Sequence, residues 1–370
     1  MKVIVSAGGT GGHIFPALSV INKIKEKEPN SKILYIGTTD RMEKDIIPKL
    51  GIDYVGIEMK GLNRRNPLKN IDVIKSLFSA IKKCKKIIKE FDPDIVLGIG
   101  GYITFPVIKS ACDLGYKTFI HEQNSIPGLS NKILKNRVSA IGVSLEDSMK
   151  YFPKNKTYFT GNPRSEEAVT YRKVPKSKYN LSNNKKTVLF VMGSLGSQTI
   201  NDIMKNILPK FKNKDYEVLF VTGKNYYNDY KNLKGIPENV KVVEFLNDML
   251  GVLKSIDLIV SRAGASTIAE VTALGLPSIL IPSPYVTHNH QYKNAKVLAD
   301  ANASILIEEK DLNYDILLKK IDNILNNKDI YDKMKKEALS LSVQNSSSKI
   351  YELLKNIING DINGWCYWTN

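Results

Sequence analysis

The chain has 370 residues, more than a single hydrophobic core usually organises, so two domains are the expectation. With 42% hydrophobic and 25% charged residues it has the composition of a soluble globular protein, which excludes wholesale disorder. Lys and Arg outnumber Asp and Glu by 54 to 37, and the net charge of +17 calls for an anionic partner: nucleic acid, a membrane or a phosphorylated substrate.

Taken in order, strand-like apolar runs alternate with amphipathic stretches: KVIVS (2–6), ILYIG (33–37), IVLGIG (95–100), TFIHE (118–122) and AIGVS (140–144). The opening strand leaves no room for a signal peptide, and no stretch is long and apolar enough to span a membrane, so the expected compartment is the cytoplasm, with a membrane within reach. Between 162 and 186 the chain turns polar, basic and proline-interrupted, as a linker would. Strands resume at 187–193, 217–223, 240–246, 257–262, 278–282 and 304–309, followed by a helical stretch over about 311–360 and an aromatic WCYWTN tail. The spacing predicts an α/β protein of two Rossmann-like halves with parallel sheets and a cleft between them. The expected segments are 1–161, the linker 162–186, 187–343, and a C-terminal helix and tail over 344–370. Cys84, Cys112 and Cys366 have no paired spacing, which predicts free thiols in a reducing compartment and no zinc site. His288 and His290 likewise lack the spacing of metal ligands.

The first glycine-rich turn, SAGGTGGHIFPALSV (6–20), presents backbone N–H groups to an anion, yet it is neither a Walker loop nor a GxGxxG fingerprint. His13, placed at the tip of this loop, is a candidate general base, although a helix-capping histidine fits the same position. GIGGYITFPV (98–107) repeats the pattern with Gly100, Gly101 and Tyr102 before a helix near Thr104; a tight βα turn explains it equally well. HEQNSIPGLSNK (121–132) sets His121, Glu122, Gln123 and Asn124 in a row at a strand end, a pattern that favours substrate contact over packing. Glu122 is the second candidate base.

Arg164 of GNPR has a planar fork suited to a phosphate or a base carbonyl. MGSLGSQTIN (192–201) offers Ser194 to a phosphate, and the main chain around Leu246 of FLND can pair with the edge of a base. The segment 261–291 carries the densest signal. Small residues from Ala263 to Ala265 admit a ligand, Ser266 or Thr267 caps a helix, and Gly275 and Pro277 end it. A helix start there suits a diphosphate, Glu270 one turn further in suits ribose hydroxyls, and Arg262 and Gln291 of the HNHQ cluster complete the set. An ordinary βαβ turn shares the small residues but not these polar additions.

Residues 60–90 combine an apolar helical stripe (Ile71, Ile74, Leu77, Phe78, Ile81, Cys84, Ile88) with a net charge of +8. That fits anionic headgroups, with Leu62, Arg64 and Arg65 as membrane contacts; a sheet-packing helix with a basic outer face fits part of the stripe.

In this order GGTGGH, GGYITFP, HEQNSIPG, GNPR, GSLGS and SRAGASTIAE through HNHQY make the chain similar, over about residues 1–355, to the MurG family of bacterial cell-wall glycosyltransferases. The resemblance implies the GT-B fold, with UDP-N-acetylglucosamine as donor. It implies undecaprenyl-diphosphoryl-N-acetylmuramoyl-pentapeptide (lipid I) as acceptor, inversion to a β1→4 bond, and lipid II and UDP as products. It implies an acceptor- and membrane-associating first domain and a UDP-sugar-binding second one. No cofactor, no directly coordinated metal and no nucleic acid are expected, and the place of work is the cytoplasmic face of the cell membrane. Residue by residue, the resemblance sets Thr10, Gly11 and Gly12 beside the donor sugar and acceptor phosphates, His13 as base for the muramoyl 4-hydroxyl, and Asn124 on the sugar or acceptor. Arg164 and Ser194 hold the nucleotide end, Leu246 the uracil, Ala265, Ser266 and Thr267 the phosphates and sugar, Glu270 the ribose, and Gln291 the N-acetylglucosamine hydroxyls. The chain departs from the family at Met192 before Gly193, at His290 where glutamine is common, and beyond Asp361. Other lipid glycosyltransferases and UDP-N-acetylglucosamine 2-epimerases share the two halves and are the competing readings.

Overall fold

The computed structural model describes residues 1–59, 70–193, 196–231 and 233–361, and for 70–72, 74 and 287 the main chain alone. Leu62, Arg64, Arg65, Ser194, Cys366 and the aromatic tail therefore lie outside the described residues. The chain forms two units, Met1–Glu166 together with Asn345 onward, and Glu167–Gln344.

In the first unit seven parallel strands, β1 (Lys2–Ser6), β2 (Lys32–Thr38), β3 (Asp53–Ile57), β4 (Ile95–Gly98), β5 (Thr118–Glu122), β6 (Ala140–Val143) and β7 (Thr157–Phe159), lie in the order β3-β2-β1-β4-β5-β6-β7. Alternation along each strand sends side chains to two cores. Val3 and Val5 join Leu97 and Phe119 on one face, and Ile4 joins Val96, Ile120 and Ile141 on the other. The helix Gly11–Lys27 covers the first face with Ile14, Ala17 and Ile21. The same face is completed by Ile350, Leu353, Leu354 and Ile357 of the helix Ser346–Asn359, so the C-terminal helix belongs to the first unit. Ser346 Oγ donates to Asn162 O at 2.6 Å and Ser347 Oγ to Pro163 O at 3.0 Å, tying its start to the end of the N-terminal segment.

The other face is covered by the helix Asn70–Phe91, whose inward stripe is Val73, Ala80, Cys84 and Ile88. Burial pushes the Cys84 thiol up to about 12, so it is a core thiol rather than a reactive one. Part of the expected apolar stripe does turn inward, yet Phe78 is 68% exposed, among the exposed Lys75, Lys82 and Lys86. Among the described residues no helix is long and apolar enough to cross a membrane.

The second unit repeats the plan with β8 (Thr187–Val191), β9 (Glu217–Val221), β10 (Val240–Val243), β11 (Leu258–Ser261), β12 (Ser278–Leu280) and β13 (Ile305–Leu306), all parallel, in the order β10-β9-β8-β11-β12-β13. Val188, Phe190, Val218 and Phe220 pack on one face, Leu189, Val191, Leu219 and Val221 on the other. Of the segment expected as a linker, Arg164–Thr170 is helical. Strands β3 and β7 are additions to the expected set. Both lie at sheet edges, and neither has the continuous apolar run of a strand buried on both faces.

In both sheets the strand order reverses beside the first strand, between β1 and β4 and between β8 and β11. Connections leave such a point in opposite directions, which opens a crevice at the carboxyl ends of the strands. The glycine-rich turns of the sequence fall at these two places.

Candidate active site

In the first unit, the turns after β1 and β4 lean on one another. Gly8 N donates to Gly100 O at 3.2 Å, and a side-chain carbon at Gly101, which has φ +91, would come within 2.4 Å of Gly8 O. Only glycine permits that approach with that backbone. Thr10 is the extended residue before the helix Gly11–Lys27, so His13 stands within the first helical turn rather than at a loop tip. Thr10 and Gly12 are exposed and Gly11 half-buried, and Gly11 and Gly12 occupy the turn in which helix amides lack an intrahelical acceptor. The amides of Gly8 and Gly9 do not face a ligand as the sequence suggested, because Gly100 O and the Glu43 carboxylate take them.

The half-buried His13 ring lies against Gly100, and its Nδ1 is 3.1 Å from Gly8 O. A carbonyl oxygen only accepts, so this bond requires the proton on Nδ1 and leaves the lone pair of the neutral ring on Nε2.

The polar run at the end of β5 is bonded extensively within the protein. His121 is fully buried, with Nε2 3.0 Å from Gly161 O and Nδ1 3.1 Å from Gln123 Nε2. Burial holds its imidazole at about 4, so it is neutral. Gln123 also donates to Ile99 O at 2.7 Å. Glu122, 2% exposed, accepts from Asn124 N at 3.0 Å and Asn124 Nδ2 at 3.3 Å through Oε1, and from Gly128 N at 2.9 Å and Asn131 Nδ2 at 2.8 Å through Oε2. All four consecutive polar side chains thus hydrogen-bond within the fold, and Asn124 is the half-buried one. Asn131 was not singled out in the sequence; in SNKIL it reads as a helix-surface residue.

Tyr102 shares a hydrogen bond with Arg41, whose guanidinium this bond holds above its ordinary range. The Arg164 guanidinium stacks over Phe15 at 5.4 Å from the ring centre, and Phe15 in turn covers Gly11, so Arg164 belongs to the glycine-turn neighbourhood.

In the second unit the helix Ala265–Ala273 starts directly behind β11. Its N-cap is Gly264, with no side-chain cap, so Ser266 and Thr267 do not serve as the expected caps. Instead Ser266 Oγ is buried without a hydrogen-bond partner among the described residues. Gly275, at φ +57, ends the helix as expected. Glu270 lies in its second turn at 7% exposure. Gln291 Oε1 accepts from Ser283 N at 2.9 Å. The Leu246 side chain is core, which leaves only its main chain for a ligand.

Arg262 is bonded within the second unit. Nη1 donates to Ile281 O at 3.1 Å, and Nη2 donates to Ser197 Oγ at 2.8 Å and to the Glu309 carboxylate. Its guanidinium braces the turn after β8, the residue being only 9% exposed. Among the described residues no group of three or more His, Cys, Asp or Glu is placed to hold a metal.

A doubly wound parallel sheet in each unit, with a glycine- or alanine-rich turn and a helix start at each strand-order reversal, is the two-Rossmann-domain plan on which nucleotide-sugar enzymes are built. Residues 3–143 match the glycosyltransferase family 28 N-terminal domain and 187–354 its C-terminal domain. The chain is 43% identical over 97% of its length, and 100% of the relative's, to the UDP-N-acetylglucosamine--N-acetylmuramyl-(pentapeptide) pyrophosphoryl-undecaprenol N-acetylglucosamine transferase of Bacillus cytotoxicus. It is 45% identical to the enzyme of the same name from Halalkalibacterium halodurans, covering 96% of this chain and 99% of that one. The crystal structure of Acinetobacter baumannii MurG superposes with a TM-score of 0.78 at 24% identity, covering 96% of this chain and 99% of that one, and so shows the same GT-B fold. The chain belongs to glycosyltransferase family 28 and, within it, to the family of these N-acetylglucosamine transferases.

Proposed function

We infer that this enzyme moves N-acetylglucosamine from UDP-N-acetylglucosamine to the muramoyl 4-hydroxyl of lipid I, giving lipid II and UDP in peptidoglycan synthesis. Kinship over 97% of the chain supports the reaction. The observation that carries the mechanism is the His13 imidazole, whose proton is fixed on Nδ1 by Gly8 O.

From the first unit, His13 Nε2 takes the proton of the acceptor hydroxyl as its oxygen attacks the anomeric carbon on the face opposite the diphosphate. One displacement suffices for inversion, so a single base and a stabilised leaving group are enough. Glu122 is the weaker candidate base, because its carboxylate already organises the loop through four hydrogen bonds. Thr10, Gly11, Gly12, Tyr102 and Asn124 line the acceptor side.

From the second unit, the start of the helix Ala265–Ala273 offsets the charge that UDP gains as the glycosidic bond breaks. The unpartnered Ser266 Oγ suits a phosphate or sugar oxygen, with Thr267 beside it. Glu270 takes the ribose, the Leu246 main chain the uracil, and Gln291 the sugar hydroxyls. Ser194 takes the nucleotide end, as does Arg164 of the first unit, and Arg262 acts from behind by holding Ser197.

The enzyme works at the anionic inner leaflet as a peripheral protein. The exposed Phe78 with Lys75, Lys82 and Lys86 supports that surface, and Leu62, Arg64 and Arg65 are the further contacts proposed from the sequence. Nucleic acid is not a partner.

The test is transfer of labelled N-acetylglucosamine from UDP to a short-chain lipid I analogue, with labelled disaccharide-lipid expected. Conversion of the donor to another UDP-sugar without acceptor would mark an epimerase and end this reading.

A further inference from the structure

The first unit buries a carboxylate that the reaction described above does not use. Glu43 opens the helix Glu43–Lys49, is 0% exposed, and has no ion-pair partner among the described residues. Its Oε1 accepts from Thr38 N at 3.1 Å and Thr38 Oγ1 at 2.8 Å, and its Oε2 accepts from Gly9 N at 3.2 Å. A side-chain carbon at Gly8 would come within 2.5 Å of Oε1, so the carboxylate lies directly behind the glycine turn. Burying such a group is unfavourable unless its oxygens are hydrogen-bonded, and here all three donors are neutral protein groups.

The Gly9 N–H and the Gly8 carbonyl are the two ends of one peptide group. Glu43 holds the first, and the second accepts from His13 Nδ1 at 3.1 Å. In a trans peptide these groups point in opposite directions, so a single rigid plane joins the carboxylate to the imidazole. A charge-assisted bond at the N–H polarises the amide and makes its oxygen a better acceptor. The flanking atoms are held independently: Tyr35 Oη donates to Ala7 O at 2.9 Å, and Gly8 N to Gly100 O at 3.2 Å. Among these tethers of the turn, Glu43 is the one that brings a carboxylate to the peptide His13 depends on.

We propose that Glu43 is a positioning residue for the transfer, acting on His13 through the Gly8–Gly9 peptide. It sets the tilt of the imidazole and strengthens the bond that keeps its proton on Nδ1. The inference rests on His13 as the base. It assigns the orienting role, filled by a side-chain carboxylate in many nucleophile-base sites, to a carboxylate one peptide removed.

The experiment is a double-mutant cycle on the full chain with His13→Ala and Glu43→Gln, measuring transfer to the lipid I analogue and UDP binding. Glutamine is nearly isosteric, but its single oxygen cannot serve both the Thr38 pair and Gly9. Glu43→Gln is expected to lower turnover at least fivefold, with acceptor KM changed less than twofold and UDP Kd unchanged. In the His13→Ala background it should lower the residual rate no further. Thermal unfolding followed by a probe in the first unit normalises each rate to folded enzyme; should Glu43→Gln not fold, Glu43→Asp, which keeps the charge but withdraws it by one methylene, is expected to lower turnover at least threefold. Unchanged turnover in the folded variant, or an equal loss with and without His13, overturns the inference while leaving His13 in place. Full activity of His13→Ala overturns the reading beneath it.

Discussion

At the strand-order reversal of the first unit, the turns after β1 and β4 meet through a main-chain bond, Gly8 N on Gly100 O, with the His13 ring packed beside it. At the matching place in the second unit, the turns after β8 and β11 meet through a side chain, with the Arg262 guanidinium on Ser197 and backed by Glu309. Each crevice has a buried carboxylate behind it, Glu43 in one and Glu309 in the other. One holds an amide and the other a cation. A backbone-built crevice fixes the direction of a catalytic ring with few degrees of freedom, as proton transfer requires. A crevice braced by an ion pair keeps a turn in shape for binding an anion, a task in which a small tilt matters less. In the mechanism proposed above, the same topology serves reactivity in one unit and affinity in the other.

The largest effect should come from His13→Ala, which is expected to cut turnover by at least tenfold and by up to the roughly 10²–10⁴ a positioned base supplies, and to leave UDP affinity nearly intact. A parallel fall in UDP affinity, read by calorimetry, would abolish the division of labour. Next, Glu309→Ala leaves Arg262 buried without its carboxylate, a loss expected to cost about 3–5 kcal/mol. Urea unfolding followed by probes in each unit should show the second unit failing first, with UDP binding weakened; an unshifted transition would mean that the pair does not brace the crevice.

A third effect is confined to the first unit. His121 titrates at about 4 in the fold, below the ordinary histidine range, so its stabilising contribution is complete above about 6.5 and is lost as pH falls toward 4. Between pH 7 and 5 this should lower stability by about 2 kcal/mol, because the unfolded chain binds the proton and the fold does not. Glu28, drawn down to about 2 by the Lys355 ammonium, acts only in a lower window. Thermal unfolding that shows no loss over pH 7 to 5 would mean that His121 charges within the fold. The smallest effect concerns the outer surface: replacing Leu62, Arg64 and Arg65 should weaken sedimentation with anionic vesicles by about 1 kcal/mol per basic residue. Transfer to a water-soluble acceptor should stay as it was, and undiminished sedimentation would remove these residues from the membrane face.

The sheets were legible because strands buried on both faces are unbroken apolar runs, as in TVLFV and LIVS, whereas DYVGI and TYF at the edges are short or half-exposed. The glycine turns were legible too, since close approach of two backbones leaves its mark in composition. Polar partners were not. His121, Glu122 and Gln123 read as ligand contacts because a sequence shows polar groups but not which neighbours satisfy them. Glu43 escaped notice for the same reason: EKDIIPK reads as the exposed start of a helix, and only the fold brings Gly9 and Thr38 to its oxygens.

The return of the helix Ser346–Asn359 to the first sheet has a consequence for biosynthesis. Ile350, Leu353, Leu354 and Ile357 are core residues of a unit whose strands leave the ribosome far earlier. The amino-terminal half must therefore wait, one sheet face only partly covered by the helix Gly11–Lys27, while the inserted second unit is translated and becomes able to fold. The first portion made is the last to be closed, and a stalled or truncated chain exposes apolar surface at its beginning rather than at its end.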